Sequence, residues 1–358
     1  MRRLLCLLVC LLLPGEARGA PITPYSSDTL LRYAALPETQ QALVDCLYSA
    51  MMAHTERYEF AELVAYEDVS AAVGLLAEDF PELFQLGKRY VITYPQNAPE
   101  MASAVSFEYV MDKDEADRLR HALLAEAQSL ADEAEGEPWQ QELFFHDELC
   151  RRITYSSAAE NHYTATAALL DGVAACEGYT QAMSLVCRLA GIPCSEVVGL
   201  DPRGQSHAWN ALLMDGTLCF TDVTADDQAA CTVRWAVNIS REQLDQSYRL
   251  SEDTLLPWPS TDAWEFHRRS GALAETEAEA TALLRAQLQR LVRTGEAVSL
   301  RFGDWTLYEA FAARLSEEVD AYNAAALPED RLRSVYAWMA SPYQPCMTLY
   351  WYTEPDAP

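Results

Sequence analysis

The sequence predicts an α+β fold. Three observations carry that reading: an apolar stripe at helical spacing through residues 176–190, alternating runs on both sides of Asp215-Gly216, and mixed helical and alternating segments on both flanks.

In chain order, MRRLLCLLVCLLLPGEARGA sets Arg2 and Arg3 before an apolar run from Leu4 to Leu13, then Pro14, Gly15 and the small residues around Arg18. That is the pattern of a secretory signal peptide, residues 1–19, and the run is too short to span a bilayer as a helix. Residues 20–135 read as an N-terminal α/β region. LPETQQALVDCLYSAMMAHTERYEF predicts a helix starting near Pro37, with Leu43, Cys46, Leu47, Ala50 and Met51 recurring on one face. VSAAVGLLAEDF predicts a second, short helix. RYVITY (89–94) and AVSFEYV (104–110) alternate and are rich in β-branched and aromatic residues, so both read as strands. From Asp112 to about Glu135 the helical period returns, with Leu119, Leu123, Ala127 and Leu130 aligned, and WQQELFFHDELCRRITY gives another helix. Residues 136–245 form the central unit. LSEDTLLPWPSTDAW then reads as linker-like. The C-terminal α/β region, residues 246–358, holds a helix over about 274–293, a strand VSLRF (298–302), more helix and a last apolar run CMTLYWY (346–352).

Composition narrows the partners. Half the residues are apolar, as a globular chain requires. The formal net charge is −28, and Lys88 and Lys113 are the only lysines. Such a polyanion repels nucleic acid and anionic lipid, so no nucleic-acid partner is expected, and the leader predicts a secreted, extracellular or cell-surface location. Removing the leader with Cys6 and Cys10 leaves eight cysteines scattered through a large chain, unlike the dense framework of a small disulfide scaffold. A Cys187–Cys194 or Cys219–Cys231 disulfide is allowed by the compartment, and spacing assigns neither.

The chemistry concentrates in DGVAACEGYTQAMSLVCRLAGIPC, residues 171–194. After Cys176, the residues Tyr179, Ala182, Met183, Val186, Cys187 and Ala190 make one apolar face, and Gly191 and Pro193 end the helix. Cys176 therefore lies in the first turn of a buried helix, where backbone N–H groups and the positive dipole end favour a thiolate. Cys187, about three turns on, faces inward as a small apolar residue. In SHAWNALLMDGTLCFTDVTADDQ, Asp215-Gly216 predicts a two-residue hairpin turn. Met214 then opposes Thr217, Trp209 opposes Asp222, and His207 opposes Thr224. His207 and Asp222 become diagonal neighbours on one face. A thiol at a helix start, an imidazole and a carboxylate placed to orient it are the parts that activate a cysteine nucleophile. Asp226 and Asp227 lie past the paired region and read as solvated or turn-forming. Trp209 reads equally as a shield over the base or as core. A zinc site from Cys176, Cys187, Cys194 and His207 lacks the CxxC or HExxH spacing that would make it specific, so neither a metal nor any other cofactor is expected.

VAACEGY, GIPC, HAWN and DGTLCFTDVTADD, in this order, resemble the core of the transglutaminase-like superfamily in its bacterial secreted branch, over roughly residues 140–240. EDFPELF (78–84) and WAVNISREQL (235–244) resemble the flanks of such members. The resemblance implies a papain-like core, a Cys-bearing helix packed on an antiparallel sheet, with Cys176 as nucleophile, His207 as general base and acid, and Asp222 orienting the imidazole. Tyr163, Tyr179, Trp209 and Asn210 are the further residues expected to shape the site. The sequence departs from the pattern at Ala174, Thr166, Ala225 and Leu218-Cys219, none of them a triad member, so the resemblance does not extend to the oxyanion donors or to the shape of the acyl-acceptor side. The implied activity is cysteine-dependent attack on amide bonds of a protein or peptide substrate, cell-wall peptides included, with hydrolysis favoured over transfer to an amine. The alternative from another class is an inactive transglutaminase-like module that binds cell surface or peptidoglycan.

Overall fold

The computed structural model describes residues 23–158, 161–251, 256–332 and 336–351, so the 1–19 leader lies outside the described residues. The fold is α+β. The described residues fall into two compact units: one drawn from 23–135, 155–158, 161–196 and 256–257, the other from 136–154, 197–251, 258–332 and 336–351.

The first unit is built on a three-stranded antiparallel sheet in which Met101–Tyr109 runs between Arg57–Ala65 and Leu86–Thr93. Four longer helices accompany it: Glu38–Met52, Tyr66–Asp79, Lys113–Glu133 and Cys176–Leu189. Leu123, Ala127 and Leu130 are buried on one face of the Lys113–Glu133 helix, which packs against the Cys176–Leu189 helix. The Glu38–Met52 helix is shorter than its sequence pattern suggests. His54 takes a left-handed φ of 61°, and the chain turns into the strand Arg57–Ala65. Arg57-Tyr58-Glu59-Phe60 carries the β-favouring alternation that the helical reading absorbed.

The second unit holds the helix Pro138–Arg152, a sheet in the order Arg249–Leu250, Cys194–Leu200, Ser206–Met214, Thr217–Thr221, and a second sheet in the order Leu273–Ala274, Val298–Phe302, Cys346–Trp351, Tyr336–Ala340. The division between units falls inside the strand Cys194–Leu200. The second sheet joins the helix Glu277–Thr294 in a core of Leu284, Leu288, Leu291, Leu300, Phe302 and Leu349. That helix starts with a capping box between Thr276 and Glu279. The stretch expected to be linker-like is largely tied down. Leu250 pairs with Gly199, Leu218 N–H donates to Pro259 O at 2.8 Å, and Ser260 Oγ donates to Leu218 O at 2.7 Å. Residues 252–255 of that stretch lie outside the described residues.

The hairpin forms in the expected register. Met214 pairs with Thr217 and Asn210 with Thr221, around Asp215 and Gly216 at φ 48° and 74°, as the twist of a two-residue hairpin requires. The ladder is shorter than expected, however. It ends at Asn210–Thr221, and Asp222 becomes the N-cap of a short helix, Val223–Asp226. An Asp before Val-Thr-Ala-Asp can satisfy the first amides of a helical turn with its own side chain, which stops the strand.

Behind that hairpin lies a buried polar cluster that makes stability depend on pH. Glu142 accepts from Thr221 Oγ at 3.0 Å and Asn238 Nδ2 at 2.9 Å and is fully buried. Burial pushes its carboxyl up to about 7, with His146, Thr221 and Asn238 pulling the other way. His146 is buried too, 3.0 Å from Asp147 and 3.3 Å from Asp226, the second contact being an ion-pair distance without hydrogen-bond alignment. Burial alone would lower its pKa, but Asp147 and Asp226 hold it up at about 9. Both groups bind protons more tightly folded than unfolded, so stability falls as pH rises: through about 4.5 to 7 for Glu142 and about 6.5 to 9 for His146. The Glu142 contribution amounts to at most about 3 kcal/mol. Glu142→Gln is expected to flatten the lower span while keeping an acceptor and a donor for Asn238 and Thr221. Urea unfolding at several pH values between 5 and 8 checks this, and parallel slopes in both proteins would refute it.

Candidate active site

The thiol belongs to the first unit. Cys176 is the first residue of the helix Cys176–Leu189, with Ala175 at the N-cap in extended backbone. Ala175 N–H donates to His162 O at 2.8 Å, which ties the helix start to the 162–164 segment, and within the first turn Thr180 Oγ donates to Cys176 O at 2.8 Å. Gly178 makes that approach feasible: a Cβ there would lie 2.8 Å from both Ala174 Cβ and His162 O. Cys187 is buried three turns on, as the apolar stripe predicts. Tyr179 is buried in the same stripe, so it supports the helix from the core. Tyr163 is half-buried, with Lys88 Nζ 4.2 Å from its ring centroid.

Burial distinguishes Cys176 from most of the other thiols. Cys150, Cys187, Cys194, Cys219 and Cys346 are buried, whereas Cys46, Cys176 and Cys231 are half-buried. Burial pushes the Cys219 and Cys346 thiols up to about 12 and the Cys231 thiol up to about 11, and raises Cys150 well beyond the ordinary thiol range. None of these four supplies a thiolate near neutral pH. Cys46 lies in the middle of the Glu38–Met52 helix, without the N-terminal dipole. Among the described residues, no group of three His, Cys, Asp or Glu side chains is arranged to hold a metal ion.

The imidazole and the carboxylate belong to the second unit. His207 Nε2 is 2.8 Å from Asp222 Oδ2, so the expected His–Asp pair forms although Asp222 lies just past the ladder. Three donors converge on the Asp222 carboxylate. Ala225 N–H reaches Oδ1 at 3.0 Å, His207 Nε2–H reaches Oδ2, and Tyr248 Oη–H reaches the same Oδ2 at 2.9 Å. Burial would raise the Asp222 pKa, but the His207 charge and these hydrogen bonds hold it below the usual carboxylate range. An ionised Asp222 keeps the proton on Nε2 and leaves Nδ1 as the basic nitrogen. Trp209 is buried, its ring stacked 6.0 Å from His207 and edge-on 5.1 Å from Tyr248. It walls the pair and also fills core. Its Nε1 has no acceptor among the described residues.

Two expectations need correcting. Asn210 pairs with Thr221 in the ladder, so strand alternation turns its side chain to the face opposite His207 and Trp209. Asp226 is fully buried rather than solvated. It accepts from the backbone amides of Trp235 at 3.0 Å and Ala236 at 3.1 Å and faces His146. Tyr248, Glu142 and His146 escaped the sequence reading altogether. The available signal for the latter two was a Glu and a His four apart on one helix face, which usually marks a solvated surface.

A model of the transglutaminase-like superfamily matches residues 127–223. No curated protein matches the chain. Among solved structures, a transglutaminase is similar at 15% identity and TM-score 0.28, over 50% of this chain and 52% of that one. A candidate cysteine protease from Cytophaga hutchinsonii is similar at 13% identity and TM-score 0.26, over 48% of this chain and 67% of that one. The periplasmic domain of TgpA from Pseudomonas aeruginosa, bound to ethylmercury, is similar at 23% identity and TM-score 0.25, over 37% of this chain and 59% of that one. The chain thus spans about half the length of the transglutaminase it resembles.

Proposed function

Residues 127–223 belong to the transglutaminase-like superfamily, and from that premise we propose that this protein is an exported cysteine enzyme that opens amide bonds in proteins or peptides through an acyl-thioester on Cys176. The observation that carries the reading is the His207–Asp222 hydrogen bond at 2.8 Å, formed on an ionised, threefold-bonded carboxylate. Such a pair has a clear use in amide chemistry: it holds an imidazole in the tautomer that accepts a proton on Nδ1. Cys176 supplies the matching nucleophile, half-buried at a helix start.

The chemistry needs thiol and imidazole to meet during reaction. His207 Nδ1 takes the Cys176 proton, and the sulfur adds to the amide carbonyl carbon. The tetrahedral intermediate collapses as the imidazolium gives its proton to the leaving amine, and the acyl group remains as a thioester. Water then attacks the thioester, with His207 taking its proton, and the acid departs as the thiol is restored. Water is the acceptor we favour, in keeping with the protease-like secreted members that the sequence resembles. A primary amine at the same step would give transfer. The leader pattern of residues 1–19 is the basis for placing the enzyme outside the cytoplasm.

The test is activity with a control at the nucleophile. Peptide and protein substrates are offered with a labelled primary amine, to the wild type and to Cys176→Ala. Cleavage without amine incorporation, abolished in the variant, is the expected result; incorporation lost in the variant would assign transfer instead. In parallel, iodoacetamide should alkylate Cys176 rapidly near neutral pH in the wild type, and about tenfold or more slowly in His207→Ala. A wild-type rate no higher than that of an ordinary thiol, with no turnover, would point to an inactive module used only for binding.

A further inference from the structure

The hydroxyl of Tyr248 is the third donor to Asp222, and no motif accounts for it. Tyr248 lies beyond residues 127–223 and 26 positions from its partner. It sits between the short helix Arg241–Asp245 and the strand Arg249–Leu250. Its amide donates to Leu244 O at 2.8 Å, and Arg249 and Leu250 pair with Leu200 and Gly199. Gly199 is the condition for that pairing, because a Cβ there would stand 2.0 Å from Arg249 O and 2.8 Å from Trp209 Cη2. The tyrosine is therefore held at both ends by backbone, with its ring 5.1 Å from Trp209 and 6.4 Å from His207. It is almost fully buried.

We infer that Tyr248 is a positioning residue for the His207–Asp222 pair: its hydroxyl fills the second lone-pair site of Oδ2 and so fixes which carboxylate oxygen, in which orientation, meets the imidazole. This rests on the amide-bond reading above, and the geometry explains how it would act. Ala225 holds Oδ1 from one side, while His207 and Tyr248 share Oδ2 from the other. With all three donors in place the carboxylate cannot rotate without breaking two or more bonds. Remove the phenol oxygen, and one lone pair of a buried anion loses its donor. The carboxylate then binds a proton more readily, and the imidazole loses part of its alignment. The phenol is a steady donor, since burial and the Asp222 charge push its ionisation well above the ordinary tyrosine range. Of the ionisable groups around it, Asp222 is hydrogen-bonded to the hydroxyl and the His207 ring lies 6.4 Å from its own, while Asp226 and Asp201 add further negative charge.

Tyr248→Phe keeps the ring against Trp209 and deletes only the hydroxyl. Turnover should fall about tenfold with KM within twofold of wild type, and the acid limb of the pH profile should move up by about one pH unit. The His207 imidazole, read by nitrogen-15 NMR in labelled protein, should show the lower transition of the His207–Asp222 pair moving the same way. This readout needs no turnover. If Cys176→Ala is inactive but Tyr248→Phe retains wild-type kcat and an unmoved acid limb, the positioning role is overturned while the function stands. If the wild type cleaves no amide, the imaging of His207 still decides: a shifted transition supports the role, and an unshifted one overturns it. Should the Phe variant fail to fold, site-specific difluorotyrosine at position 248 replaces it. While it remains protonated it is a stronger donor, and the lower transition must then move down; no movement overturns the role.

Discussion

Asp222→Asn is expected to lower kcat by about 10⁴-fold, the scale seen when the same substitution is made in a serine-protease triad, while the protein stays folded. The reason lies in the donors around the side chain. Asparagine has one acceptor oxygen and one N–H₂ where the carboxylate had two acceptors. If its oxygen faces the Ala225 amide, its N–H₂ meets His207 Nε2 and Tyr248 Oη, which are donors to the carboxylate. The imidazole must then move its proton to Nδ1, the nitrogen that the proposed reaction needs as its base. If the amide flips, its N–H₂ opposes the Ala225 N–H, and the loss of negative charge still removes the stabilisation of the imidazolium. Either arrangement disables the base at unchanged shape. Steady-state kinetics across pH, with the His207 tautomer read by nitrogen-15 NMR, separates this from unfolding. A variant within tenfold of wild type would remove Asp222 from the reaction.

The parts of the site that were legible in the sequence are those fixed by short-range rules. The Cys176–Leu189 helix follows from its apolar stripe, and the hairpin register follows from Asp215-Gly216. Period two then puts His207 and Trp209 on one face. What the sequence hid depends on long-range closure. Tyr248 reaches Asp222 because Gly199 lets two strands approach, and nothing in the spacing of 222 and 248 announces it. Asp226 looks like a surface acid between Ala225 and Asp227. It is buried because Trp235 and Ala236 turn their amides onto it. The helix from Glu38 ends sooner than its apolar spacing predicts, because His54 adopts a left-handed turn that propensity does not reveal. Local pattern places an element and its faces; which polar groups end up buried is set by the partners that distant chain brings to them.

The largest expected loss of stability comes from such a distant pairing. Asp79, at the end of the Tyr66–Asp79 helix, is fully buried and accepts from Ser195 Oγ at 2.8 Å, from the Glu196 amide at 3.0 Å and from Arg188 Nη2. Arg188, on the helix that begins with Cys176, is buried as well and also donates to Cys194 O at 2.6 Å and to Asp79 O. Asp79→Ala leaves the guanidinium in the core without its counter-charge and strips acceptors from Ser195 and Glu196. The expected cost is about 3–5 kcal/mol, enough to bring a marginal domain near its unfolding threshold. Asp79→Leu with Arg188→Met removes both charges and restores apolar volume, so it should lose less than Asp79→Ala alone. Urea denaturation midpoints of the three proteins test the argument. A double variant less stable than Asp79→Ala would mean that the hydrogen bonds, rather than the unpaired charge, dominate this core.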